Sequence, residues 1–155
     1  PVYLRFGRPK VANFTAIDQK FEIGKGVMLN PGSDVTIVAT GHLVWEAIKA
    51  GEELNKMGIS AEIINIHTIK PLDSDIILKS ISKTGCLVSA EEHNYHGGLG
   101  ESISRILAQN NPASQSFVAT NDTFGESGPP QQLMEKYGLN SQAITKSAIE
   151  VIKKK

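Results

Sequence analysis

Short apolar runs rich in β-branched residues alternate along the chain with segments in which apolar residues recur every three or four positions. The runs predict buried strands at 26–29, 34–40, 62–66, 87–90 and 116–119. The periodic segments predict helices at 43–57, 74–83, 99–109 and 131–137, and a last helix that Asn140 or Ser141 caps. This alternation predicts an α/β fold with three layers, α/β/α, around a five-stranded, mostly parallel sheet.

One more apolar run precedes this alternation. Residues 1–6 predict an extended strand, and an irregular stretch follows to about residue 20. The chain begins at Pro1 without an initiator methionine. We therefore expect residues 1–20 to be the end of a preceding domain plus a linker, and residues 21–155 to form the main domain. We also expect the chain to be a piece of a longer polypeptide.

Polar residues follow several predicted strands, where the functional edge of a parallel sheet lies. They are the segments 40–42, 67–68, 91–93 and 121–122, which contain histidines, carboxylates and an asparagine. Because the carboxyl ends of parallel strands meet at one edge, we expect these segments to gather there.

Charge and cysteine content narrow the possible partners. The chain has 16 basic and 16 acidic residues among 155, so no net field attracts nucleic acid or an anionic membrane. No apolar run approaches the roughly 20 residues that span a bilayer, and no signal peptide is visible. Cys86 is the only cysteine, which excludes an intramolecular disulfide and suits a cytoplasmic location. It opens an apolar run, so we expect a buried, inert thiol.

The segment 91–96 holds residues that metals and acid–base catalysts use. His93 and His96 are three positions apart, a spacing that chelates a metal only on a helix, and a glycine turn follows them. We expect no metal site there. Glu91 and Glu92 directly follow the predicted strand 87–90. Adjacent residues in a strand point to opposite faces, so if the strand conformation continues through them their side chains make a poor catalytic pair.

Two glycine-rich segments also need interpretation. Residues 97–100 open a helix and could hold an anion on free N–H groups, but Glu101 in the first turn would repel a phosphate. We interpret these glycines as allowing close packing of helix on strand. Residues 125–128 (GESG) lack the spacing of a serine-hydrolase elbow, so we expect a surface loop.

Four segments carry a resemblance to a known family. They read PVYLRFGRPKV at 1–11, DVTIVATGHLVWEAIKAGEEL at 34–54, CLVSAEEHNYHGGLGES at 86–102 and TFGESGPPQQL at 123–133. In this order they resemble the C-terminal domain of the transketolase family of thiamine diphosphate enzymes. The resemblance extends from Phe21 to Tyr137, and residues 1–11 are similar to the closing strand of that family's pyrimidine-binding domain.

The resemblance implies a reaction for the complete enzyme. It is the transfer of a two-carbon ketol unit between sugar phosphates in the pentose phosphate pathway, with thiamine diphosphate as electron sink and Mg²⁺ or Ca²⁺ holding the diphosphate. The family's cofactor-activating glutamate and metal motif belong to domains that precede this one. The implied partners are therefore those upstream domains or subunit, and a second copy in a homodimer. The chain alone is expected to bind no cofactor and to be inactive.

The resemblance also implies roles for individual residues. In the family, an arginine at the end of the closing strand contacts the substrate phosphate, and spacing matches it to Arg8 rather than Arg5. The family's loop after the fourth strand lies at domain and subunit contacts. This makes Glu91, Glu92, His93 and Tyr95 candidate interface residues.

Three alternatives remain open. Deoxyxylulose phosphate synthase usually has RYPRG where this chain has RFGRPK. The beta subunit of a 2-oxoacid dehydrogenase usually carries a glutamate in place of the strand-end arginine pattern. A non-catalytic interaction or nucleotide-sensing domain is a third, because this architecture supports many functions.

Overall fold

The computed structural model describes residues 1–7 and 10–155 of the chain. One sheet contains five strands, β1 (Val27–Asn30), β2 (Val35–Ala39), β3 (Ala61–Asn65), β4 (Cys86–Asn94) and β5 (Ser114–Thr120). The helices are α1 (Leu43–Lys56), α2 (Ser74–Thr84), α3 (Leu99–Asn110), α4 (Pro130–Lys136) and α5 (Ser141–Ile152). The strand order is β1-β3-β2-β4-β5, and only the β1–β3 pair is antiparallel. The predicted mostly parallel, five-stranded sheet is confirmed.

Helices cover both faces of this sheet. On one face, α1 and α5 pack against Val35, Ile37 and Ala39 of β2. On the other face, α2 and α3 pack against Val38 of the same strand. Successive β2 side chains thus point to opposite layers, as the pleat of a strand requires. The predicted α/β/α layering is confirmed.

Two predicted helix caps are present. The Asp73 carboxylate accepts a hydrogen bond from the Ile76 N–H, and its second oxygen accepts one from the Gly26 N–H at 2.9 Å. The Asn140 side chain accepts from the Ala143 N–H at 2.9 Å, so Asn140 rather than Ser141 caps α5. Each cap satisfies a backbone donor that the first turn of a helix leaves free.

Glu62 and Cys86 are ionisable side chains buried in the sheet. Burial alone would raise the pKa of Glu62, but hydrogen bonds from Lys83, Ser80 and the Gly32 N–H hold that pKa below its ordinary value. Burial raises the pKa of the Cys86 thiol, which keeps it protonated and a poor nucleophile. The expected buried thiol is confirmed.

The first residues differ from the prediction. Residues 1–7 form no strand, and Val2, Tyr3, Leu4 and Phe6 are exposed by 68 to 87%. A strand needs a neighbour for its backbone groups, and no described strand of this chain pairs with these residues. The apolar pattern therefore predicted a strand, but in the structure this apolar segment is unpaired and exposed. Arg8, the predicted phosphate-binding residue, lies outside the described residues.

Strand β4 is longer than predicted. It continues past Ala90 to Asn94, which pairs with Thr120 of β5 across a register shift. Glu91 and Glu92 therefore lie within β4, whereas the sequence placed them after the strand. Among the described helices, none has the length and the apolar character needed to cross a membrane.

Candidate functional site

The predicted polar segments do meet at one edge of the sheet. We call residues 40–42, 67–68, 91–96 and 120–122 the carboxyl edge, since they end or follow the four parallel strands. Its centre is closed by a hydrogen bond from the Thr40 N–H to the Ala90 carbonyl, at 3.1 Å. Its outer part is closed by a bond from the Tyr95 N–H to the Thr120 carbonyl, also 3.1 Å.

Glu91 joins the end of β4 to the beginning of α3. Its side chain is only 2% exposed. One carboxylate oxygen accepts the Leu99 N–H at 2.7 Å, and the other accepts the Gly100 N–H at 2.8 Å. These amides have no partner within the helix, and the positive end of the helix dipole favours a carboxylate there. Glu91 thus fills the anion site that the helix N-terminus offers.

Glycine is required around this carboxylate. A Cβ atom on Gly98 would lie 2.7 Å from Cδ of Glu91, and one on Gly100 would lie 2.8 Å from Oγ of Ser89. Real side chains do not come so close, so any larger residue would push α3 away from β4. The predicted close packing of helix on strand is confirmed, with a buried carboxylate between them.

Glu92 points to the opposite side of β4, as alternation in a strand predicts. Its carboxylate lies 3.0 Å from Nδ1 of His42, which precedes α1. Its backbone carbonyl accepts a hydrogen bond from Nη1 of Arg5 at 3.1 Å. Glu91 therefore contacts the start of α3, whereas Glu92 contacts His42 before α1, so the two carboxylates do not form a catalytic pair.

The last two residues of β4, His93 and Asn94, and the turn that follows them to Gly97 form a loop at the carboxyl edge. His93 is exposed, whereas Tyr95 is half-buried, with its ring 3.9 Å from the ring of His96. Asn94 organises the turn by accepting the His96 N–H at 2.9 Å and donating to Asp122 at 3.1 Å. The loop is thus ordered by its own hydrogen bonds while presenting aromatic rings.

The far end of this loop is held by Glu101. Its carboxylate accepts the Gly97 N–H at 2.7 Å and lies 3.3 Å from Nδ1 of His96. These two interactions, the Gly97 bond first, hold the pKa of Glu101 below its ordinary value. The negative charge of Glu101 in the first turn of α3 therefore stabilises the loop through Gly97 and His96.

The family model described as "Transketolase, C-terminal domain" matches residues 24–144. The chain belongs to the transketolase C-terminal domain family. This confirms the resemblance that the four sequence segments indicated.

Individual relatives of this transketolase C-terminal domain agree. It is 42% identical over 155 residues to the 6-deoxy-6-sulfo-D-fructose transketolase subunit of Clostridium sp. (strain MSTE9), with 100% of the chain and 48% of the relative covered. It is 34% identical over 135 residues to a 1-deoxy-D-xylulose-5-phosphate synthase of Desulfotalea psychrophila (strain LSv54 / DSM 12343), with 86% and 21% covered. The chain thus spans half or less of these relatives.

A solved structure shares the fold of this transketolase C-terminal domain. It is described as a split gene transketolase, inactive beta4 tetramer, and matches with a TM-score of 0.89 and 37% identity. The match covers 92% of this chain and 47% of the other.

The described part of the domain does not fit the family's cofactor. Within residues 1–7 and 10–155, no group of three or more His, Cys, Asp or Glu side chains could hold a metal ion. The glycine-rich N-terminus of α3 is occupied by Glu91, and the space beside Gly98 is filled by the same carboxylate. The amides of Leu99 and Gly100 are therefore not free to bind a diphosphate.

Sequence reasoning placed the edge segments correctly but missed two contacts. It assigned Glu91 to an interface, whereas the structure places its carboxylate inside the chain. The signal was present, since a carboxylate directly followed the predicted strand 87–90 and stood eight residues before the first residue of a helix with a glycine-rich start. The pairing of His42 with Glu92 had no comparable signal, because 50 residues separate the two.

Replacing Glu91 by Gln should destabilise the domain by about 2 kcal/mol, because a buried charge-assisted bond is lost and an amide NH₂ then faces a backbone donor. Chemical denaturation of both forms measures this difference. Glu101→Gln is the matched control, since Glu101 caps the same helix region from an exposed position and its loss should cost less. Equal losses in the two variants would contradict the role assigned to Glu91.

Proposed function

We propose that this chain is the C-terminal domain of an enzyme that transfers a two-carbon ketol unit between sugar phosphates. The observation that carries the proposal is the 42% identity, over the whole chain, to a transketolase subunit of about twice its length. We assign residues 21–155 to this domain and residues 1–20 to the end of a preceding pyrimidine-binding domain plus a linker. The exposed apolar side chains of residues 2–6 support this division, because they suit a strand that a missing neighbour covers.

The catalytic and cofactor-binding groups are assigned to the part of the enzyme that this chain lacks. In the complete enzyme, thiamine diphosphate with Mg²⁺ or Ca²⁺ supplies the carbanion chemistry. This chain contributes packing, assembly and the segment that leads to Arg8. The positive N-terminus of α3 is already neutralised by the Glu91 carboxylate, which supports a structural role for the domain.

The isolated chain should bind neither thiamine diphosphate nor its metal. No GDG metal motif occurs between Pro1 and Lys155, and the described residues offer no metal site. Calorimetric titration with thiamine diphosphate and Mg²⁺ is the test, with the complete enzyme as positive control. Micromolar binding by the isolated chain would refute the assignment of the cofactor site to the upstream part.

Arg8 is proposed to bind the anionic end of the sugar substrate. The two relatives are named for a sulfo sugar and a sugar phosphate, each of which carries an anionic group. A guanidinium suits such a group because its planar fork forms paired hydrogen bonds. Arg5 is a weaker candidate, since its Nη1 already donates to the Glu92 carbonyl.

In the complete enzyme, Arg8→Ala should lower kcat/KM for a phosphorylated ketose by roughly tenfold to a hundredfold, since each charge-assisted bond is worth about 1.5–3 kcal/mol. An unphosphorylated ketose should be affected much less. Steady-state kinetics with both substrates measures this. Arg5→Ala is the control and should be milder; an equal loss on both substrates would contradict phosphate binding by Arg8.

The loop that follows β4 is proposed as a contact surface in the assembled homodimer. His93 is exposed, and Tyr95 borders a groove of about 550 Å³ that Phe117 also lines. Phe117 is 39% exposed, so the groove presents two aromatic rings. Aromatic rings with a polar handle are favoured at protein interfaces. Glu92, which we also propose as a contact residue, does not line this groove, and its carboxylate is paired with His42.

Tyr95→Ala should weaken assembly of the complete enzyme about tenfold or more while leaving the thermal melt of the domain nearly unchanged. Sedimentation across a concentration series measures assembly, and melts measure stability. Tyr137→Ala is a matched control, because Tyr137 packs against the core outside this loop and its loss should lower the melt without affecting assembly. Unchanged assembly in Tyr95→Ala would contradict the contact surface.

A deoxyxylulose phosphate synthase is the second candidate function. The 34% identity to such an enzyme over 135 residues favours it, whereas the lower identity and the sequence RFGRPK in place of RYPRG count against it. The complete enzyme distinguishes the two, since only a transketolase transfers a ketol unit from one sugar phosphate to another. Absence of that transfer would favour the synthase.

A further inference from the structure

The segment that precedes Arg8 is attached to the carboxyl edge at two points. Nη1 of Arg5 donates to the Glu92 carbonyl at 3.1 Å. Two residues later, Gly7 lies against the ring of His42, so closely that an added Cβ would be 2.6 Å from Cε1 and 3.1 Å from Cδ2. Alternate residues of an extended segment face the same side, so Arg5 and Gly7 can contact one surface together. Phe6, between them, is 83% exposed.

The two residues that receive this segment are themselves paired. Nδ1 of His42 lies 3.0 Å from Oε2 of Glu92, and their side chains are 21% and 41% exposed. His42 occupies the N-cap position of α1, yet its side chain makes no capping hydrogen bond. Its ring is instead directed between Glu92 and Gly7. Helix stability therefore does not explain its position.

The pair lies at the ends of two adjacent, hydrogen-bonded strands, β2 and β4. Thr40, two residues before His42, bonds to Ala90 of β4 at 3.1 Å. Glu91, directly before Glu92, is fixed by its two bonds to α3. His42 and Glu92 thus extend from adjacent strands whose separation is set by main-chain bonds. A contact between them has little freedom to change.

We propose that His42 and Glu92 are positioning residues that hold the Arg5–Gly7 segment and thereby set where the chain delivers Arg8 to the anionic end of the substrate. This inference rests on the proposed phosphate role of Arg8. Glu92 contacts the segment through its main-chain carbonyl, and His42 contacts it through its ring. Without the His42 ring, the segment would lose its contact at Gly7 and would keep only the bond from Arg5 to the main-chain carbonyl of Glu92. It would then have to be ordered when the substrate binds, which weakens binding.

The central test is His42→Ala in the complete enzyme, assayed with a ketose that carries a terminal phosphate and with its unphosphorylated counterpart. KM for the phosphorylated ketose should rise about fivefold to tenfold with kcat within about twofold, because the loss falls on binding. KM for the unphosphorylated ketose should change by less than about twofold. His42→Asn should restore only part of the loss, since its amide can donate to Glu92 but does not replace the ring that contacts Gly7.

Glu92→Gln should raise the same KM in the same selective way, and Glu52→Gln, an exposed glutamate of α1, is its matched control with no expected change. Gly7→Ala should act like His42→Ala, because its methyl group would collide with the ring. The Gly7→Ala/His42→Ala double variant should be no worse than either single variant, since removal of the ring opens the space.

The dependence on Arg8 is tested in the Arg8→Ala background, where His42→Ala should cause no further rise in KM. If Arg8→Ala is phosphate-selective but His42→Ala is not, the positioning role is wrong and the role of Arg8 stands. If Arg8→Ala is not phosphate-selective, both fail. Equal losses on the two ketoses, a fall in kcat, or additive effects with Arg8→Ala would each overturn the inference in favour of a general structural role.

Discussion

The carboxylate of Glu91 is the interaction around which the carboxyl edge is arranged. It enters from a central strand, is buried at 2% exposure, and accepts the first free amides of α3 at 2.7 and 2.8 Å. A buried carboxylate is unfavourable unless it is hydrogen-bonded, and helix amides are unfavourable when left unpaired. Each group therefore requires the other, and together they fix the end of β4 against the start of α3.

This constraint determines what the neighbouring residues can do. Since Glu91 turns toward α3, strand alternation directs Glu92 toward α1 and His42. The loop that follows must turn within a few residues to reach Gly98, and it is closed by Asn94 and Glu101. A helix N-terminus that could have bound a substrate anion is occupied. This agrees with the proposal that an arginine preceding the domain takes that role.

Most of the fold could be predicted from the sequence because it follows local rules. Apolar runs, helical periodicity and the caps at Asp73 and Asn140 depend on residues close together in the chain. The prediction was wrong for residues 1–6, whose pattern is that of a strand but which pair with no strand among the described residues. Strand pairing is a property of two segments, so one pattern cannot determine it.

The location of the candidate site could be predicted from the sequence, but the contacts between its residues could not. Parallel strand ends meet at one edge, which located Thr40, His67 and Glu91. The bond from Arg5 to Glu92 joins residues 87 positions apart, and only the folded chain brings them together. The contact of Gly7 with His42 leaves no pattern either, since a glycine can indicate a turn or a close approach equally well.

Hydrogen exchange of the complete enzyme, with and without Glu91→Gln, tests the central claim that this carboxylate organises the edge. The claim predicts faster exchange in residues 92–100 and also in residues 5–7, which do not touch Glu91, while β2 stays protected. Faster exchange confined to the first turn of α3 would contradict it. In that case Glu91 would only cap a helix, and the edge would be held by other contacts.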